Sequence, residues 1–172
     1  MVVVGFSAGG LLSAWLAQHR AVARSVSIAP LLGIAWLPRP LTGLAARTAL
    51  RAPNRFLWWD PILRERLGPP HGYPRFATHA VAHAAILARE LLADAKHTAP
   101  SARDIRIVLN AHETTVNNAA ARRLAALWSR PTASVVVRHL QGLPLSHDII
   151  EPLRRGSLAA HVYPTLLDIV AS

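Results

Sequence analysis

The stretch Val2-Val3-Val4-Gly5-Phe6-Ser7-Ala8-Gly9 constrains the fold more than any other in the chain. Val2-Val3-Val4 is a β-branched run without polar alternation, the pattern of a strand buried on both faces of a parallel sheet. From Ala8 to Ala17 the pattern changes to Leu11, Leu12, Trp15 and Leu16, the spacing of an apolar helix face. G-x-S-x-G between a strand and a helix puts Ser7 on a strained turn that projects its hydroxyl from the end of the sheet. Gly5 and Gly9 are expected to keep that turn free of clashes, and the N–H of Ala8 to face a developing oxyanion. Glycine, serine and alanine are common, so the pentapeptide alone reads equally as a tight turn with an inert serine. The strand before it and the helix after it make it informative.

The rest of the chain continues the α/β rhythm. Ser25 to Ala29 reads as a second strand stopped by Pro30, which completes a βαβ unit. The region 31–100 differs, because Pro38, Pro40, Pro53, Pro61, Pro69, Pro70 and Pro74 cut it into short pieces. Its one long helical pattern spans His79 to Ala95, so it reads as an inserted helical cap. Strands are then expected at Ile105–Leu109 and Ser134–Val137. Helices are expected at Val116–Trp128 and Leu158–Ala171, the last kinked or restarted by Pro164. Fold class is therefore α/β, a mostly parallel sheet flanked by helices. The length of 172 residues suits a single domain, 1–172, with the cap inserted at 31–100.

A nucleophilic serine needs a base, and the base needs an orienting acid. Folds of this kind place them in the order serine, acid, histidine. Glu113 lies just past the carboxyl end of the Ile105–Leu109 strand, where doubly wound sheets carry their working residues. His139 and His147 follow the next strand. His139 continues directly from it and reads as a structural or surface histidine, whereas His147 lies in a loop able to reach back over the sheet. Asp104 precedes its strand and sits at the wrong end. Asp148 adjoins His147 and could hardly orient its neighbour's ring, and His112 stays unassigned. The expected site is thus Ser7, Glu113 and His147, with Ala8 as oxyanion donor.

Other chemistry finds little support. The chain has no cysteine, which removes disulfides and thiolate metal sites and fits a cytoplasmic location. His79 and His83 stand one helical turn apart, but the Glu of H-E-x-x-H and a third ligand are missing. No metal and no cofactor are expected. The net charge of +10 raises nucleic-acid binding. However, its arginines (Arg20, Arg47, Arg64, Arg66, Arg122, Arg154 and Arg155 among them) are scattered and accompanied by no recognition motif. No nucleic-acid partner is expected. The uncharged stretch 25–38 is too short to span a membrane and is interrupted by Pro30, and any membrane association is expected to be peripheral. Phe56, Trp58 and Trp59 suit either an acyl pocket or packing within the cap.

VVVGFSAGG, VLNAHETTV and LPLSHDII, in this order, resemble the second half of an α/β-hydrolase-fold serine hydrolase. The resemblance implies Ser7 as nucleophile, Glu113 as acid in place of the family's commoner aspartate, and His147 as base. The cap then corresponds to the family's variable segment that shapes the acyl or alcohol pocket. It implies an esterase- or lipase-like activity on a small, hydrophobic ester. Amide hydrolysis, acyl transfer, or a weakly active remnant are the alternatives. The family's earlier strands, which supply a second oxyanion amide, have no counterpart here. An N-terminally truncated sequence with an open, self-associating sheet edge at Val2–Val4 is expected on that basis.

Overall fold

The computed structural model describes residues 1–59, 61–62, 73–129, 131–153 and 156–172. In chain order the elements are β1 (Val2–Phe6), α1 (Ala8–His19), β2 (Arg24–Ile28), α2 (Arg39–Arg51), β3 (Phe56–Trp58), β4 (Arg75–Ala77), α3 (Thr78–His97), β5 (Asp104–Asn110), α4 (Asn118–Trp128), β6 (Ser134–Leu140) and α5 (Ala159–Ala171). The prolines Pro69 and Pro70 and the arginines Arg64, Arg66, Arg154 and Arg155 lie outside the described residues.

β1, β2, β5 and β6 form one parallel sheet in that order. Its two central strands carry runs such as Ile105, Ile107, Val108 and Leu109, all fully buried. Helices cover both faces, so neither face of these strands meets water. On one face Leu11 and Ala14 of α1, Leu91 of α3, and Leu124 and Trp128 of α4 join a single core. On the other, Val162, Leu166 and Ile169 of α5 pack against Val26 and Val108. Two of the polar side chains inside pair with each other and with the end of α3: the Trp128 indole N–H donates to Gln18 Oε1 at 2.6 Å, and Gln18 Nε2 donates to Thr98 Oγ1 at 2.8 Å. Ser27 Oγ on β2, by contrast, is buried with no hydrogen-bond partner among the described residues.

The outer strand departs from its sequence pattern. Val3 packs against the first core, but Val2 and Val4 are 49% and 51% exposed. Among the described residues β1 pairs only with β2. It is therefore an edge, half covered, and not a strand buried on both faces.

Residues 31–100 hold more than helices. β3 and β4 form an antiparallel hairpin separate from the main sheet, and the second half of α3 joins the main core through Leu91, Leu92 and Ala95. Two other expectations shift. Val116 bridges to Ile34, so α4 begins later, with the Asn117 side chain capping it by accepting from Ala120 N–H at 3.1 Å. Pro164 sits inside an uninterrupted α5. The carbonyl it leaves unpaired, that of Ala160, belongs to an exposed residue that water can satisfy.

Candidate active site

The turn after β1 is held in a conformation that costs energy. Ser7 has φ 55° and ψ −114°, a region a residue with a Cβ enters at a cost of about 1–3 kcal/mol. Three backbone hydrogen bonds fix it: Ser7 N–H donates to Ile28 O at 2.9 Å, while Ser7 O accepts from Leu11 N–H at 3.0 Å and Leu31 N–H at 2.9 Å. The glycine requirement falls partly elsewhere than expected. A Cβ on Gly5 would lie 2.0 Å from Gly9 O, and one on Gly10 would lie 3.0 Å from both Ile28 O and Pro30 Cα. A Cβ on Gly9 would meet nothing within 4 Å among the described residues. Gly5 and Gly10, and not Gly9, permit the close approach of strand and helix.

Glu113 stands past the end of β5 with its side chain 1% exposed. Its Oε1 accepts from Thr115 N–H at 2.7 Å and Val116 N–H at 3.3 Å, and its Oε2 lies 2.9 Å from His147 Nδ1. Burial disfavours its charge, but the hydrogen bonds from His147 and Thr115, the charge of the imidazole and the Val116 N–H outweigh it. The carboxyl pKa is held below its ordinary value. An ionised Glu113 makes Nδ1 the protonated nitrogen of a neutral His147. Nε2, 2.8 Å from Ser7 Oγ, is then free to accept the serine hydroxyl proton. Ser7, His147 and Glu113, selected from the sequence, are thus brought into one chain of hydrogen bonds. Ala8 is the first residue of α1, where its N–H has no helical carbonyl four residues back to bond.

The loops carrying acid and base are tied to each other by residues the sequence reading did not select. Asn110, the last residue of β5 and 1% exposed, donates from Nδ2 to Ser146 O at 2.8 Å and Pro144 O at 3.3 Å. Its Oδ1 accepts from His112 N–H at 3.0 Å. His112 Nδ1–H donates to Leu143 O at 2.7 Å. Phe6 stacks on the His147 ring with centroids 4.9 Å apart and planes inclined by 27°. The available signals were a polar residue ending an apolar strand, and an aromatic at the variable position before the serine.

The remaining candidates lie elsewhere. His139 is exposed on β6, opposite Leu109. Asp104 pairs with Arg24 and Arg106 at the opposite end of the sheet. His79 bonds to Ala52 O. Phe56 and Trp59 are exposed, and Trp59 packs against Phe76. Among the described residues no three His, Cys, Asp or Glu side chains come together in an arrangement able to hold a metal. A groove of about 440 Å³ opens beside the serine turn, lined by Ala8, Leu11 and Leu12 of α1 and by His83, Ala84, Ile86, Leu87 and Glu90 of α3.

No family model matches the chain, and no curated protein matches its sequence. Solved structures do match in shape. A monoacylglycerol lipase from Paleococcus ferrophilus superposes with a TM-score of 0.70 at 17% identity, over 98% of this chain and 67% of that one. A soluble variant of monoglyceride lipase from Saccharomyces cerevisiae, solved with a substrate analogue, gives 0.68 at 12% identity, over 97% and 63%. A structure from a study of the metagenome-derived lipolytic enzymes LipS and LipT gives 0.56 at 18% identity, over 81% and 54%. This chain therefore spans about two thirds of the length of the first two.

Proposed function

We propose that this chain, which has the α/β-hydrolase fold over its Ser7 turn, parallel sheet and flanking helices, acts as a serine hydrolase on carboxylic esters. The observation that carries the reading is the pair of contacts at His147: Nε2 at 2.8 Å from Ser7 Oγ and Nδ1 at 2.9 Å from Glu113 Oε2. That is the reach needed for a nucleophile, its base and the base's orienting acid.

Ser7 Oγ attacks the ester carbonyl as its proton passes to His147 Nε2. The resulting imidazolium is stabilised by the buried Glu113 carboxylate. The oxyanion meets Ala8 N–H and the positive end of α1, a type of interaction whose loss typically costs about 10²–10³ in rate. His147 then returns the proton to the departing alkoxide, leaving an acyl-Ser7. Water, deprotonated by the same histidine, attacks this ester and releases the acid and Ser7. The groove that starts at Ala8 has apolar walls from Leu11, Leu12, Ala84, Ile86 and Leu87, which suits a hydrophobic acyl group. The lipase names of the structural neighbours favour esters over amides.

Hydrolysis of a p-nitrophenyl ester by the full chain tests the proposal. Turnover is expected, with a loss on the order of 10⁶-fold in kcat for Ser7→Ala. Absence of turnover in the unaltered chain, or equal turnover in the variant, overturns it.

A further inference from the structure

The segment between β2 and β5 leaves the sheet at the edge that carries the site. Leu31 N–H donates to Ser7 O, and Ala35 N–H donates to Thr115 O, both at 2.9 Å. What this segment turns outward is apolar. Trp36 is 77% exposed, Leu41 51%, Leu44 67%, Phe56 63% and Tyr73 86%. On α2 the faces separate cleanly. Thr42, Gly43 and Ala46 are buried, with Gly43 against the Arg89 guanidinium, while Leu41, Leu44 and Thr48 are exposed. At 100° per residue, Arg47 and Arg51 fall on one flank of that exposed leucine stripe.

The first part of the segment, 29–59, carries basic charge only. No aspartate or glutamate precedes Asp60 in the sequence. Arg47, Arg51 and Arg55 are exposed, and none of the ion pairs among the described residues involves them. Arg75 lies over the Trp58 ring, 5.0 Å from its centroid, which keeps a cation beside an indole on the hairpin. Outward leucines flanked by arginines, with tryptophans nearby, suit a surface that is apolar inside and anionic outside. A nucleic acid would use the arginines but would leave Leu41 and Leu44 in water.

We infer that the outer face of α2 and the β3–β4 hairpin docks on an anionic lipid surface. The leucines and Trp36 enter the boundary between headgroups and acyl chains, and the arginines lie on lipid phosphates and carboxylates. This docking is a property of that face alone. It goes beyond the proposed hydrolysis and does not depend on it, since it needs neither Ser7 nor His147.

Co-sedimentation of the full chain tests this, using vesicles of phosphatidylcholine alone and of phosphatidylcholine mixed equally with phosphatidylserine. Binding is expected to the mixed vesicles, to weaken with added salt, and to be much poorer on phosphatidylcholine alone. Arg47→Gln and Arg51→Gln should each weaken it about five-fold. Leu41→Ser with Leu44→Ser should weaken it further while leaving thermal melting and p-nitrophenyl ester turnover unchanged, because both residues are exposed. The inference is overturned by failure to sediment with the mixed vesicles, by salt-independent binding, or by variants that bind as the unaltered chain does. Tighter binding to duplex DNA than to the mixed vesicles also overturns it. Loss of ester turnover in Ser7→Ala with intact vesicle binding would leave it standing, so the two readings fail separately.

Discussion

In the proposed site, Asn110 touches none of the atoms that would react, yet it holds the loop that carries His147. Its amide sits where the loop bearing Glu113 begins, and it holds the carbonyls of Pro144 and Ser146 just before His147. Removing it takes the donor from the part-buried Ser146 carbonyl, at a cost of up to about 1–3 kcal/mol, while the exposed Pro144 can turn to water. It also lets the imidazole drift relative to Ser7, and misplacement of about 1 Å can cost 10²-fold in rate. Asn110→Ala is therefore expected to lower kcat for ester hydrolysis about 10²-fold with little change in KM, beside a modest fall in the denaturation midpoint. Unchanged kcat with the same loss of stability would make Asn110 merely structural. The sequence made Ser7, Glu113 and His147 legible because motif, strand ends and chain order constrain them. Asn110 and His112 escaped because their partners are backbone carbonyls 31 to 36 positions away, with no side-chain signature of their own.

At the scale of elements, the strand–turn–helix unit makes a sharper demand than its pentapeptide suggests. Gly5 faces the backbone of Gly9 and Gly10 at distances no Cβ tolerates, while Gly9 faces open space. Gly5→Ala is expected to destabilise the chain by about 1–3 kcal/mol through the backbone shift it forces. Gly9→Ala, near the start of α1, is expected to be neutral or to add up to about 1 kcal/mol through helix propensity. Urea denaturation of the two variants checks this, and equal losses would contradict it. Helices α1, α3, α4 and α5 and the four sheet strands were legible from periodicity, with ends shifted by a few residues. The 13-residue α2 was not, because Pro38 and Pro40 at its start read as breaks and not as a helix N-terminus. β3 and β4 were not, because three-residue strands carry too little alternation to register. α5 runs through Pro164 because its packing face, Val162, Leu166 and Ile169, lies away from the proline.

Across the whole molecule, the end of the sheet away from Ser7 carries the electrostatics. Arg24 Nη1 donates to Val170 O at 2.7 Å, and Arg106 Nη1 reaches Ser172 Oγ at 2.7 Å, so both cations hold the last turn of α5 while pairing with Asp104. Burial disfavours the Asp104 charge, yet hydrogen bonds to Arg106 and Arg24 and their positive charge pull its pKa below the ordinary carboxylate value. Glu113 is lowered too. A carboxyl whose folded pKa is depressed stabilises fully above its unfolded value of about 4 and loses that contribution as pH falls through the lower folded value. Stability is thus expected to drop below about pH 4, where the chain's excess of basic groups adds self-repulsion. Asp104→Asn should be less stable at neutral pH and show a shallower acid slope in urea midpoints measured across that range. Parallel slopes would contradict the assignment.

Covalent labelling tests most directly the proposal that Ser7 is a nucleophile activated by His147 and Glu113. A fluorophosphonate incubated with the full folded chain should add one adduct by intact mass. Peptide mapping should find it on Ser7, and Ser7→Ala should abolish it. No adduct on the folded chain, or an adduct that persists in Ser7→Ala, would contradict the central claim.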